Sequence, residues 1–282
     1  MIVLARDKAP SPKKAAELRR IELLSKLLCK RTGAEVFLVA IPDEDETDKQ
    51  YRPCDAILEG GRIRFAVELT TIDSYIGQRS DDDRFRRVMG AMEERIGTIP
   101  DWTEVIIDVG AIPTGYDWDK LSLGIQEWLL PRLQELPYEK QVPVDIPGIP
   151  FSVWVRREPL KGQGGVIVMR RAPFNLEEQR TAVIKSALED KRNVLGHYKS
   201  EGFATVLLLE RYDLALANRH LMCDAFRRAS PLELCADAID DVYLIETPTR
   251  PWAISPLKIG LQIFVAPSPE WPDAPGYPFL NC

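Results

Sequence analysis

The sequence predicts an α/β protein in which a mixed central sheet is flanked by helices. Three observations lead to this fold class. Near the amino terminus, an amphipathic helix is followed by three strand-like segments, two of which form a hairpin. Further along, helices alternate with two short apolar runs that are typical of buried strands. Between these two halves lies a stretch of about 80–175, which we interpret as an insertion into one layered domain.

The first elements are marked by local signals. Ser11 and Pro12 have the residue types of a helix N-cap and first helical position, and Gly33 is typical of a helix end. An apolar stripe with a period near 3.6 runs between them: Leu18, Ile21, Leu24 and Leu28. A strand is predicted at 34–41, and an acidic, solvated loop at 42–53.

Residues 54–71 are predicted to form a β-hairpin. The second arm alternates apolar and charged side chains, and Gly60 and Gly61 are expected to supply the positive φ values of a tight turn. Glu68 stands in this arm within the segment FAVELT. A charged residue there is costly unless it has a partner, because the rest of the segment is typical of a buried strand.

The insertion and the second half are predicted from the same kinds of signal. The insertion is expected to hold a helix at 81–97, a strand at 103–112, a helix at 118–136 bent at Pro131, and two strands within 151–171. The Gly-rich stretch at 161–165 lacks the G-K-[ST] ending of a phosphate loop, so we interpret it as a hairpin turn. The second half is predicted to contain a helix from Asn175 to about Tyr198, strands at 203–210 and 241–246, and a helix at 218–229. The sequence thus predicts one domain over 1–246 and, over 247–282, an irregular Pro-rich tail packed on it.

Composition excludes several function classes. The formal charge is −6, so no large positive field drives non-specific binding to polyanions. The five cysteines are scattered without a C-x-x-C pair, and there are only two histidines, so neither a disulfide framework nor a zinc site is expected. No signal peptide or membrane helix is recognised, and a cytoplasmic protein without a membrane partner is expected.

Two carboxylates are the strongest candidates for chemistry. Asp55 begins one arm of the predicted hairpin, and Glu68 comes thirteen positions later on the other arm. Folding at Gly60 and Gly61 brings them together, and two close carboxylates do not readily both carry charge. A divalent cation with hard oxygen ligands, Mg²⁺ or Mn²⁺, resolves that conflict, and it can activate water and neutralise a phosphodiester. Thr70 shares the strand face of Glu68.

This order of elements, with D55-x12-E68-x-T70 on a hairpin, resembles the PD-(D/E)XK nuclease superfamily and its restriction-endonuclease-like fold. The resemblance implies that Asp55 and Glu68 are metal ligands, and that Glu22 on the first helix is a third carboxylate. Thr70 takes the place of the family's lysine but cannot supply its positive charge. The later helix offers three replacements, of which Lys191 is favoured over Lys185 and Lys199.

The resemblance therefore implies a Mg²⁺- or Mn²⁺-dependent nuclease that hydrolyses phosphodiester bonds, with DNA as the favoured partner. The alternative is a catalytically degenerate nuclease-fold protein that binds nucleic acid or another protein. A homodimer or a partner protein is compatible with both. Each site residue also has a purely structural interpretation: a plain hairpin for Asp55 and Glu68, β-propensity for Thr70, a salt bridge to Lys26 for Glu22, and solvation for Lys191. Three groups of arginines are either a nucleic-acid groove or solvated faces: Arg84/Arg86/Arg87, Arg156/Arg157 and Arg170/Arg171.

Overall fold

A computed structural model describes residues 11–42, 52–90, 92, 101–159, 164–213, 218–248, 250–265, 268–270 and 272. The protein is an α/β protein with two mixed sheets. Its helices are α1 Pro12–Thr32, α2 Gln78–Met89, α3 Trp118–Leu129, a 3₁₀ helix Leu130–Glu135, α4 Leu176–Ser200, α5 Arg219–Arg228 and α6 Pro231–Cys235. Its strands are β1 Val36–Ala40, β2 Ala56–Gly60, β3 Ile63–Thr71, β4 Trp102–Asp108, β5 Val142–Val144, β6 Val153–Glu158, β7 Val166–Arg171, β8 Ala204–Arg211, β9 Asp241–Glu246, β10 Ala253–Ile259 and β11 Gln262–Ile263.

The chain divides into two compact units. The first consists of Met1–Ser74 and Glu177–Cys282, and the second of Tyr75–Leu176. The second unit covers the stretch that is predicted to be an insertion. In the described part of the chain, every helix is too short or too polar to span a membrane.

The first unit is built on a seven-stranded sheet in the order β1-β2-β3-β8-β9-β10-β11. Its centre, β3-β8-β9, is parallel, whereas β1-β2-β3 and β9-β10-β11 are antiparallel. The local signals at α1 are confirmed: the Ser11 hydroxyl accepts a hydrogen bond from the Lys14 N–H at 3.3 Å, and Gly33 ends the helix with φ 70°. Such capping satisfies backbone groups that a helix end leaves unpaired.

Helices cover the two faces of this sheet. On one face, α1 buries Ile21, Leu24 and Leu28 against Val67 and Val206. On the other face, α4, α5 and α6 form a second core with alternate residues of the same strands; its members include Ile184, Leu188, Phe226, Ala66 and Leu207. Successive side chains of a strand point to opposite faces. The position of a residue along β3 therefore decides which helix it meets.

The second unit is a four-stranded sheet in the order β5-β6-β4-β7, in which β4 and β7 are parallel. One of its faces packs on α2, α3 and the 3₁₀ helix through residues such as Val105, Val155, Val88 and Ile125. The bend predicted at Pro131 is present as the change from α3 to the 3₁₀ helix.

Three predictions about the strands are wrong. β6 and β7 are not hairpin partners, because β4 lies between them, and residues 161–163 of the Gly-rich stretch lie outside the described residues. Within the predicted tail, β10 and β11 extend the first sheet. Gly61 has φ 61°, but Gly60 ends β2 and lies outside the left-handed region. A Cβ on Gly60 would lie 2.5 Å from Val36 Cγ2, so close packing explains this glycine. Most of the predicted acidic loop and the end of the predicted 81–97 helix lie outside the described residues.

Candidate functional site

Asp55 and Glu68 lie beside each other on neighbouring strands. β2 and β3 are antiparallel with Ala56 opposite Val67, so Asp55, one residue before β2, comes next to Glu68. The Asp55 Oδ2 accepts a hydrogen bond from the Leu69 N–H at 2.6 Å. The carboxylate of Asp55 is thus fixed to the backbone of the strand that carries Glu68.

Lys191 joins this pair from α4. Its ammonium donates a hydrogen bond to Glu68 Oε2, and the two side chains are 7% and 0% exposed. Glu68 points to the α4 face of the sheet, as Ala66 does two residues earlier. The structure thus brings together three of the five residues that the sequence and the resemblance select.

The electrostatics of Glu68 reflect this crowding. Burial raises the pKa of Glu68 and the neighbouring Asp55 carboxylate raises it further, whereas the ion pair with Lys191 opposes both. The second carboxylate oxygen, Oε1, is buried and has no hydrogen-bond donor among the residues that the structure describes. A buried oxygen in that state is costly, and it is free to accept a ligand.

Glu22 and Thr70 are placed differently. Glu22 forms salt bridges along α1 with Arg19 at 2.8 Å and Lys26 at 3.1 Å, and α1 packs on the sheet face opposite to the one that Glu68 occupies. The structure therefore does not bring Glu22 to the carboxylate pair, and its role as a third ligand stays a prediction. Thr70 is half-buried and shares the strand face of Glu68.

The donor set fits a hard divalent cation held by few protein ligands. In the described part of the chain, no three Asp, Glu, His or Cys side chains come together as a metal site. Asp55 and Glu68 remain as two carboxylates, and Mg²⁺ is often held by one or two carboxylates together with water and substrate phosphates. The buried Glu68 Oε1, which has no donor in the described residues, is the observation that supports this fit.

Two further residues near the pair were not selected from the sequence. The Tyr198 hydroxyl on α4 accepts a hydrogen bond from the Cys54 N–H at 3.3 Å, next to Asp55. Burial and a hydrogen bond with the Cys54 side chain raise the pKa of Tyr198 to about 12, whereas the bond from the Cys54 N–H opposes this rise. Arg52 is exposed, and its charge acts to lower the pKa of Glu68. The sequence offers no motif for either residue beyond closeness to Asp55 or to the lysines of α4.

A second buried carboxylate lies on the other sheet face. Glu210, in β8, accepts hydrogen bonds from Thr71 at 3.0 Å and Thr247 at 2.8 Å, and it pairs with Arg20 of α1 at 2.5 Å. These partners join α1 to the carboxyl ends of the parallel strands. Both of its carboxylate oxygens are used in these contacts, so Glu210 is well explained by a structural role.

The arginine groups do not form a free basic strip. All seven are paired with carboxylates of the second unit: Arg84 with Asp81, Arg86 with Asp83, Arg87 with Asp119, Arg156 with Glu104 and Glu158, Arg157 with Asp101, Arg170 with Asp81 and Asp82, and Arg171 with Asp108. A phosphate backbone would have to compete with these carboxylates for each guanidinium.

Comparison with known proteins adds no relative. No family model matches the chain, and neither a curated protein nor a solved structure does.

Proposed function

We propose that the chain is a metal-dependent nuclease that hydrolyses phosphodiester bonds in DNA. The observation that carries the proposal is the group of Asp55, Glu68 and Lys191, in which two carboxylates meet on neighbouring strands and an ammonium contacts one of them. The order α1-β1-β2-β3, followed by α4 and β8 parallel to β3, supports it through its likeness to the restriction-endonuclease-like core.

Each residue of the group has a distinct role in this proposal. Asp55 and Glu68 hold the cation, and the Leu69 N–H orients Asp55. When bound, the cation supplies a water of lowered pKa and neutralises charge on the phosphodiester. Lys191 supplies the positive charge that Thr70 lacks, and it stabilises the negative charge that develops on the phosphate. Arg52, exposed beside the pair, contributes to phosphate binding.

The test is a cleavage assay with Mg²⁺ and with Mn²⁺ on supercoiled, linear and single-stranded DNA and on RNA. We expect DNA cleavage that EDTA abolishes and that Glu68→Gln reduces by at least about 100-fold, because one of two metal ligands is lost. Glu189→Gln is the matched control: it lies on α4, its side chain is 52% exposed, and it should cleave like the wild type. Cleavage retained in Glu68→Gln would refute the assignment of the site.

The second candidate is a degenerate nuclease-fold protein that binds nucleic acid without cutting it. The complete burial of Glu68, whose Oε2 is already taken by Lys191, favours this candidate, as does the uncharged Thr70. It predicts no cleavage on any substrate, no Mn²⁺ binding that depends on Asp55, and a DNA gel shift that is unchanged in Asp55→Asn. Saturable Mn²⁺ binding that Asp55→Asn removes would contradict it.

A further inference from the structure

We propose that Lys191 and the divalent cation compete for Glu68, so that the lysine closes the site until the metal displaces it. This inference rests on the metal site of the proposed function and adds a regulatory step to it. It predicts how this chain's own lysine responds to the ion, whether or not the bound ion supports cleavage.

Lys191 already occupies one oxygen of Glu68. The Lys191 ammonium contacts Glu68 Oε2, and neither side chain is more than 7% exposed. Oε1 remains buried without a donor in the described part of the chain. A cation held by both Asp55 and Glu68 must therefore approach a carboxylate that is already paired with the buried ammonium of Lys191.

Charge balance decides between exchange and simultaneous binding. Asp55 and Glu68 contribute −2 and Lys191 contributes +1, so the group carries −1 when all three are ionised. A divalent ion added beside the ammonium would give the buried group a net charge of +1. A divalent ion that replaces the ammonium would give it a net charge of zero. Burial penalises net charge, so the exchange is favoured over simultaneous binding.

The flexibility of Lys191 decides where the ammonium goes. A lysine has a flexible four-carbon stem, so the charge moves while its Cα stays on α4. Thr70 is two residues beyond Glu68 on the same strand face and presents only a small hydroxyl side chain there. The displaced ammonium remains near the site, where it supplies the positive charge that Thr70 lacks.

The first experiment is calorimetric titration of Mn²⁺ into the full chain, with no nucleic acid present. Lys191→Met removes the competitor and should bind Mn²⁺ about tenfold tighter than the wild type, within the usual range of coupling between two ligands. Lys185→Met is the control: it lies on the same helix with 56% side-chain exposure and should leave the affinity unchanged. Circular dichroism of each variant verifies that it is folded.

The second experiment uses the wild type alone, so that it stands even if Lys191→Met does not fold. Brief acetylation followed by peptide mass spectrometry measures the reactivity of each lysine with and without Mg²⁺. Lys191 should become several-fold more reactive with Mg²⁺, because the ion releases its amine from Glu68. Lys258, which is 2% exposed and donates to the Ile239 and Asp240 carbonyls, should stay unreactive in both conditions.

The outcomes separate the two proposals. Asp55-dependent Mn²⁺ binding by the wild type, with equal or weaker binding by Lys191→Met and no change in Lys191 reactivity, overturns the competition and leaves the nuclease proposal standing. The absence of Mn²⁺ binding in both proteins overturns both. Binding by Lys191→Met but not by the wild type supports the competition and contradicts the nuclease proposal, since the natural site would then be permanently closed.

Discussion

Breaking the Glu68–Lys191 pair should destabilise the first unit strongly, while replacing both residues should not. Glu68 has no exposed side-chain surface, and Lys191 is 7% exposed. Removing one partner of a buried ion pair typically costs about 3–5 kcal/mol, because the other charge remains buried without its partner. We expect Lys191→Met and Glu68→Met each to lower the free energy of unfolding by about 3 kcal/mol, the low end of that range.

The double variant Glu68→Met/Lys191→Met should come within about 1 kcal/mol of the wild type, because well-packed apolar residues often replace a buried pair at little cost. The chain has two compact units, and two-state unfolding is not assured for such a chain, so a single unfolding midpoint is a poor measure. Hydrogen exchange of β3 and β8 peptides, followed by mass spectrometry in increasing urea, reports on the relevant sheet. Lys185→Met is the control, with an expected change below about 0.5 kcal/mol. Refutation would be a double variant whose loss equals the sum of the two single losses.

Two further predictions concern stability elsewhere in the first unit. Burial works to raise the pKa of Asp240, but Lys199 and the Thr205 N–H hold it below its usual value of 3.8. This carboxylate therefore stabilises the fold at neutral pH, and the contribution is lost as pH falls from 3.8 through the lowered pKa. Asp240→Asn should cost about 1 kcal/mol at pH 7 and progressively less as the pH is lowered below 3.8, as measured by urea unfolding with peptide-resolved labelling of β8 and β9 at each pH; a loss that does not change with pH would contradict the linkage. Gly60→Ala places a Cβ 2.5 Å from Val36 Cγ2 and should cost about 1–3 kcal/mol in the same assay. In a Val36→Ala background that cost should shrink, and an unchanged cost would exclude the contact as its cause.

Local signals in the sequence predict the elements of this fold well, and non-local pairing limits the rest. Ser11, Pro12 and Gly33 define α1 because caps depend only on residues within one turn. The register of β2 with β3 follows from a turn of two residues, Gly61 and Arg62. In contrast, nothing near the Gly-rich stretch indicates that β4 separates β6 from β7. The same holds for β10, which pairs with β9 although its segment contains prolines.

The sequence predicts some site residues better than others, because helix periodicity is a local signal and contacts between distant segments are not. Glu22 follows Ile21, which is buried in the α1 stripe, so a turn of about 100° carries Glu22 to the flank of the helix, where it meets Arg19 and Lys26. Lys191, by contrast, falls within the buried stripe of α4, which otherwise holds Ile184, Leu188 and Leu195. A lysine at an apolar position of a helix, together with a glutamate in an apolar strand, indicates two charges that compensate each other. Helix periodicity therefore supports Lys191 independently of any resemblance.

Stability alone does not account for the composition of this group. Two apolar side chains would fill the place of Glu68 and Lys191 at similar or lower free energy. Asp55 makes the pair costlier still, because its carboxylate raises the pKa of Glu68. Its bond to the Leu69 N–H requires a hydrogen-bond acceptor at position 55. A site for an additional positive charge requires a second negative charge beside a buried carboxylate, and a carboxylate oxygen that can accept the ion. Asp55 provides the second charge, and Glu68 Oε1 lacks a donor among the described residues.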